Sequence, residues 1–114
     1  MIPKKYDVVI VPFPLTDQSI TKKRPAIVLS QVDFNQSAEH SICAMITSAK
    51  NEPWPNDIEI INLESCGLPA ESKIRMKLFT IDHKIIIRKS GVLNKDEQKS
   101  VDAALAKTLS LNIK

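Results

Sequence analysis

Cysteine is scarce in this chain. Cys43 and Cys66 are the only two, and they form no Cys-x-x-Cys pair. Unpatterned cysteines in a chain of this length point to a reducing compartment rather than a disulfide framework. Cys43 lies in an apolar run, where a thiol acts as a small hydrophobe. His40 stands near it, but no second His/Cys pair accompanies them, so neither a metal site nor any other cofactor is expected. Long hydrophobic runs are lacking too. Val8-Val9-Ile10-Val11 is cut off by Pro12 and Pro14, too short for a secretory core or a membrane span. The expected location is therefore cytoplasmic, with no membrane partner. Repeats, linkers and low-complexity stretches are absent. Charge of one sign is barely in excess: 16 Lys+Arg against 13 Asp+Glu leave a net +3. That permits a nucleic-acid partner without requiring one.

What is present describes one domain over residues 1–114, with 43% hydrophobic and 25% charged residues. A chain of this size buries roughly two-thirds of its unfolded surface, enough for a core without staples. Asp7 to Phe13 reads as a buried strand closed by Pro-Phe-Pro, and Leu15 to Lys23 as a polar surface loop. Pro25 to Ser30 is a second strand, Gln31 to His40 a polar stretch, irregular or with a turn of helix, and Ser41 to Ser48 a third strand. A proline-flanked loop, 51–56, carries Trp54. Strands follow at Asp57 to Asn62, Ser72 to Phe79 and Lys84 to Lys89, with a turn at Cys66 to Pro69. The last element is a helix. Asn94 suits its N-cap and Glu97 stands three residues on, as in a capping box. Val101, Ala104, Leu105, Thr108 and Leu109 then form one face at helical spacing. Short strands followed by one amphipathic helix predict a mainly β protein: a small, strongly bent antiparallel sheet or partial barrel closed by that helix.

Chemistry concentrates at Lys22-Lys23-Arg24-Pro25. Proline disfavours the α region for the residue before it, so Arg24 is expected extended at the mouth of a strand. There its planar, permanent charge suits a phosphate; a solvated loop arginine in a surface ion pair is the plainer alternative. Thr47 and Ser48 end the third strand, where two hydroxyls can donate to an anion or simply satisfy a turn.

These segments together resemble a known family. Tyr6-Asp7-Val8-Val9-Ile10-Val11-Pro12-Phe13-Pro14, Thr16-Asp17 and Lys23-Arg24-Pro25-Ala26-Ile27-Val28-Leu29-Ser30 are similar to the opening of MazF/PemK-type toxins. Ile46-Thr47-Ser48, Gly67-Leu68-Pro69, Ser72-Lys73-Ile74-Arg75, Lys77-Leu78-Phe79-Thr80-Ile81-Asp82 and Gly91-Val92-Leu93 follow in the family's order. The resemblance implies an SH3-like barrel that dimerises. It also implies a metal-independent endoribonuclease acting on single-stranded RNA, neutralised by an antitoxin protein. It places Arg24 and Thr47 as catalytic residues and Ser48 as a substrate contact. Where the family commonly has Gly-Asp before the first strand, Tyr6-Asp7 stands here, which implies a change in one turn. Some members carry an acid shortly after the position of Arg75; Met76-Lys77 follow it here.

Such an enzyme lets the RNA 2′-hydroxyl attack the adjoining phosphate, leaving 2′,3′-cyclic phosphate and 5′-hydroxyl ends. Arg24 would hold the phosphate and offset its growing charge, and Thr47 would orient a non-bridging oxygen. Asp17 is a candidate base, or a cap of its own loop. Trp54 is placed either to stack an unpaired base or to cover the barrel edge. Lys22, Lys23, Arg75 and Lys77 are candidates for a phosphate track. His83 is expected to be a solvated turn residue. The same barrel also supports a different class of function, a non-catalytic binder that inhibits a protein such as DNA gyrase. A plain interaction module is a third. The joint presence of Arg24 and Thr47 is what a pure binder would not need.

Overall fold

The computed structural model describes residues 1–14 and 22–111. Asp17 therefore lies outside the described residues. Six antiparallel strands form one sheet: β1 (Asp7–Phe13), β2 (Lys22–Val28), β3 (His40–Ser48), β4 (Ile58–Glu59), β5 (Ser72–Asp82) and β6 (Arg88–Val92). Their order across the sheet is β4-β5-β3-β2-β1-β6, curled into a half-barrel. The helices are α1 (Val32–Ala38), α2 (Leu63–Cys66) and α3 (Lys95–Leu109). The expected mainly β fold with a C-terminal helix is the fold found. Among the described residues no helix is long and apolar enough to cross a membrane.

The central strands are buried on both faces, which is why β1 reads as an unbroken β-branched run. Val8, Ile27, Ala44 and Ile46 point into one cluster with Leu93 and with Val101 of α3. Val9, Val11, Ala26, Val28 and Cys43 point to the opposite face, where Phe79, Ile85 and Ile86 cover them. Burial pushes the Cys43 thiol up to about 12, which suits an inert apolar filler. Of the expected helix stripe, Val101 is buried and Ala104 and Leu105 pack on the core, whereas Thr108 and Leu109 lie exposed.

Several boundaries differ from the sequence reading. The second strand starts at Lys22 rather than Pro25, because Lys22, Lys23 and Arg24 pair with Phe13, Pro12 and Val11. In the stretch after it the turn of helix is the outcome: it holds α1, seven residues organised by a buried asparagine. Asn35 Nδ2 donates to the carbonyls of Pro3 (2.8 Å) and Ser30 (3.0 Å), and Oδ1 accepts from Ser30 Oγ at 2.5 Å. The fourth strand shrinks to two residues since Glu97 draws the backbone away. Its carboxylate accepts from the N–H groups of Ile61 (2.5 Å) and Asn62 (3.2 Å). Only half of the expected capping box forms: Asn94 Oδ1 accepts from the Glu97 N–H at 3.0 Å, while the Glu97 side chain serves this distant segment. The fifth strand runs on to Asp82. The last begins at Arg88, because Ile85 and Ile86 satisfy their apolar character by packing on the outer cluster after a short 3-10 turn, His83–Ile85.

Both glycines of the chain meet at one seam. A Cβ on Gly67, whose φ is +68°, would collide with the Ser90 carbonyl oxygen, and one on Gly91 with the Ser65 carbonyl oxygen. Their bareness lets α2, which follows β4 at one edge of the sheet, lie against β6 at the other. The first strand is entered through Tyr6 at φ 77°, a conformation costly for most residues but free for glycine. Tyr6 compensates with a second anchor: its hydroxyl donates to Asp102 Oδ2 of α3 at 2.7 Å.

Candidate active site

The register between β2 and β3 brings the expected pair together. Ala26 lies opposite Met45 and Val28 opposite Cys43. Continued two residues, that register sets Arg24 across from Thr47, on the face shared by Ala26 and Met45. On the far side of β3, Met45 lies opposite Arg75 of β5. Just beyond, the β5 register shifts between its Arg75 and Leu78 pairings, so Met76 and Lys77 bulge. An open cleft of about 190 Å³ results, lined by Phe13, Arg24, Met45, Ile46, Thr47, Arg75 and Lys77. A second cleft of about 460 Å³ shares Arg24, Ile46 and Thr47, and extends past Lys22, Lys23 and Ser48 towards Pro69 and Ser72. Arg24 and Thr47 thus stand on the wall between two continuous openings.

The cations of this region differ in what holds them. Arg24 is half-buried with its guanidinium carbon 5.1 Å from the centroid of the Phe13 ring. Among the described residues its buried Nε has no hydrogen-bond partner and no carboxylate pairs with the side chain. Lys77 Nζ stands 6.0 Å from the same ring centroid. Phe13 is therefore flanked by two positive charges. Arg75, by contrast, is committed. It donates to both carboxylate oxygens of Asp57 and to the Glu52 carbonyl, and its guanidinium carbon lies 4.8 Å from the Trp54 ring centroid. Lys22 and Lys23 are exposed at the start of β2.

Asp57 organises the loop between β3 and β4. Its side chain is 11% exposed, and Lys73 Nζ lies 3.5 Å from Oδ2. Burial works to raise its carboxyl. The hydrogen bonds from Arg75 and the Trp54 N–H, with the charges of Arg75 and Lys73, outweigh that and hold it below the usual carboxylate range. Trp54 itself stays partly exposed at 45%.

The hydroxyls are distinct too. Thr47 Oγ1 accepts from Asn51 Nδ2 at 2.5 Å. Ser48 Oγ accepts from the Lys50 N–H at 3.3 Å and is exposed in the larger opening. Three contributors were not legible in the sequence: Phe13, Asn51 and Asp57. The Pro-Phe-Pro closure was the available signal for Phe13. Nothing in the spacing marked Asn51 or Asp57, whose roles depend on a loop folding back over β5.

His83 departs from expectation. It is half-buried, with Nε2 2.8 Å from the buried Ser41 Oγ. Burial first, and the neighbouring His40 charge, hold it below the ordinary imidazole value. It borders a separate opening with His40 and Asp82, away from Arg24. Among the described residues no three His, Cys, Asp or Glu side chains converge so as to hold a metal ion.

Fold and cleft together define a small SH3-like half-barrel with an open cationic site beside the ends of β2 and β3. Residues 4–109 match the family model of the PemK-like, MazF-like toxins of type II toxin–antitoxin systems. The chain belongs to that family. Solved structures share its fold at low sequence identity. An endoribonuclease in complex with its cognate antitoxin from a mycobacterial species matches at TM-score 0.79 and 14% identity, over 99% of this chain and 98% of that one. A MazE–MazF structure from Deinococcus radiodurans matches at TM-score 0.77 and 17% identity, over 98% and 99%. The Mycobacterium tuberculosis toxin MazF-mt6 matches at TM-score 0.75 and 16% identity, over 94% and 99%. No curated protein matches the sequence.

Proposed function

We propose that residues 1–114 form a single toxin domain that cleaves single-stranded RNA without a metal, works as a homodimer and is neutralised by a cognate antitoxin protein. The observation that carries this reading is the meeting of Arg24 and Thr47 in one cleft, with the Arg24 Nε unpartnered among the described residues. An unsatisfied guanidinium beside a hydroxyl is a ready ligand for a phosphodiester. The antitoxin partner is supported by family membership and by the fold shared with a toxin solved with its antitoxin.

In this reading the RNA 2′-hydroxyl forms the new bond to phosphorus as the bond to the 5′-oxygen breaks. Its proton leaves to a base, for which Asp17 is the candidate. Arg24 binds a non-bridging oxygen, where charge accumulates, and steadies the 5′-oxygen as that oxygen takes up a proton from solvent water. Thr47 donates a hydrogen bond from its hydroxyl to the other non-bridging oxygen. Loss of one such donor costs on the order of 10²–10³ in rate. Lys22, Lys23, Lys77 and Ser48 border the path of the strand on either side. Trp54, with Arg75 behind it, offers a face to an unstacked base.

Purified protein should cut a long unstructured RNA in EDTA, leaving 2′,3′-cyclic phosphate and 5′-hydroxyl ends. Arg24→Ala should abolish the cut with an unchanged melting temperature. Persistence of cleavage in that variant, or a requirement for divalent metal in the parent, would overturn the assignment.

A further inference from the structure

We infer that Asn51 is a positioning residue that sets the donor direction of the Thr47 hydroxyl, and that Lys73 holds it in place. The inference rests on the reading of the cleft as an RNA-cleavage site and extends it to a residue that does not line that cleft.

A threonine hydroxyl carries one proton and two lone pairs. Left alone at a strand end, it rotates and bonds to nearby backbone groups. Here Asn51 Nδ2 donates to Thr47 Oγ1 at 2.5 Å. A donor seated on one lone pair directs the hydroxyl proton elsewhere, and the cleft with Arg24 is the open side. The proton that the phosphate needs is thereby presented before substrate arrives.

Asn51 is itself fixed from two directions. Its N–H donates to the Ser48 carbonyl at 3.1 Å, closing a tight turn directly after β3. That turn folds the side chain back onto Thr47. Its own carbonyl accepts from Lys73 Nζ at 2.5 Å. Lys73 is 8% exposed, lies opposite Thr47 in the β3–β5 register, and is paired with Asp57. Its charge is therefore spent inside the loop, and it lines neither opening at Arg24. The series Asp57, Lys73, Asn51, Thr47 links the Asp57 carboxylate to the Thr47 hydroxyl through three polar contacts. Held geometry of this kind raises rate rather than affinity, since the orienting bond acts on a donor whose value is greatest in the transition state.

The test measures kcat and KM separately on unstructured RNA in EDTA, with melting temperature alongside. Asn51→Ala should lower kcat roughly ten- to a hundred-fold, with KM and melting temperature unchanged. In a Thr47→Ala background the same substitution should cost nothing further, because the group it positions is gone. Asn51→Asp preserves shape and turn but accepts where asparagine donates, so it should be as slow as Asn51→Ala. It also serves if the alanine variant folds poorly. An undiminished kcat in Asn51→Asp, or equal losses from Asn51→Ala with and without Thr47, overturns the inference while leaving the cleft's assignment standing. A parent protein that cuts no RNA overturns both.

Discussion

Arg75 meets Asp57 twice: Nε donates to Oδ1 at 3.3 Å and Nη2 to Oδ2 at 3.0 Å. A fork closed in this way has little left for a phosphate. Arg75 therefore acts on the cleft through what it carries, the Glu52 carbonyl and the Trp54 ring. Arg24 has the same chemistry on β2, across β3 from Arg75, and no such carboxylate among the described residues. Two arginines of one wall are thus divided between support and open charge.

The Asp57 carboxyl titrates below its unfolded value, so the folded state binds fewer protons through that range. Its stabilising effect is complete above the unfolded value near pH 4 and is lost as pH falls through the folded one. Asp57→Asn should therefore flatten the acid limb of a stability-against-pH curve. It should also cost about 1–3 kcal/mol at neutral pH, from charged hydrogen bonds left unmade. Urea melts of both proteins between pH 2 and 7 check this; parallel curves would remove Asp57 from the account.

Stacking and charge predict different signatures in RNA binding. Trp54→Ala should weaken binding of a short unstructured RNA by roughly 1–3 kcal/mol while leaving the salt slope unchanged. Lys77→Ala should instead reduce that slope by about 0.7. Titrations followed by anisotropy over a range of salt separate the two. A changed slope in the tryptophan variant would assign the loop an electrostatic role.

Gly91→Ala places a methyl group against the Ser65 carbonyl oxygen and the Cys66 backbone. Neither is a flexible side chain that can move aside. Overpacking against fixed atoms costs about 1–3 kcal/mol, and a lowered denaturation midpoint is the expected result. An unaltered midpoint would mean that α2 tolerates displacement from β6.

The sheet was legible because its central strands are apolar on both faces, so β1 announces itself as a β-branched run and β2 and β3 as short apolar stretches. The third helix was legible from Asn94 and the period of Val101, Ala104 and Leu105. What escaped was held by hydrogen bonds rather than apolar pattern. Asn35 organises α1 from the core, and Glu97 leaves its own helix to hold Ile61 and Asn62. Polar residues of this kind look like surface until their partners are known. The Ile85-Ile86-Ile87 run misled in the opposite sense, since apolar character alone does not distinguish a strand from a turn buried against one. At the cleft, Arg24 and Thr47 were readable as residue types in a familiar order. Asn51 and Asp57 depend on where a loop lands, which spacing does not encode.

The seam between α2 and β6 bears on how this molecule can meet another. The sheet presents few inviting margins: β4 offers two residues to an incoming strand, and β6 begins with the exposed charges of Arg88 and Lys89. Short or charged rims discourage backbone-to-backbone growth, which is indiscriminate and hard to reverse. Contact with a second chain is left to faces and loops, where side chains choose the company.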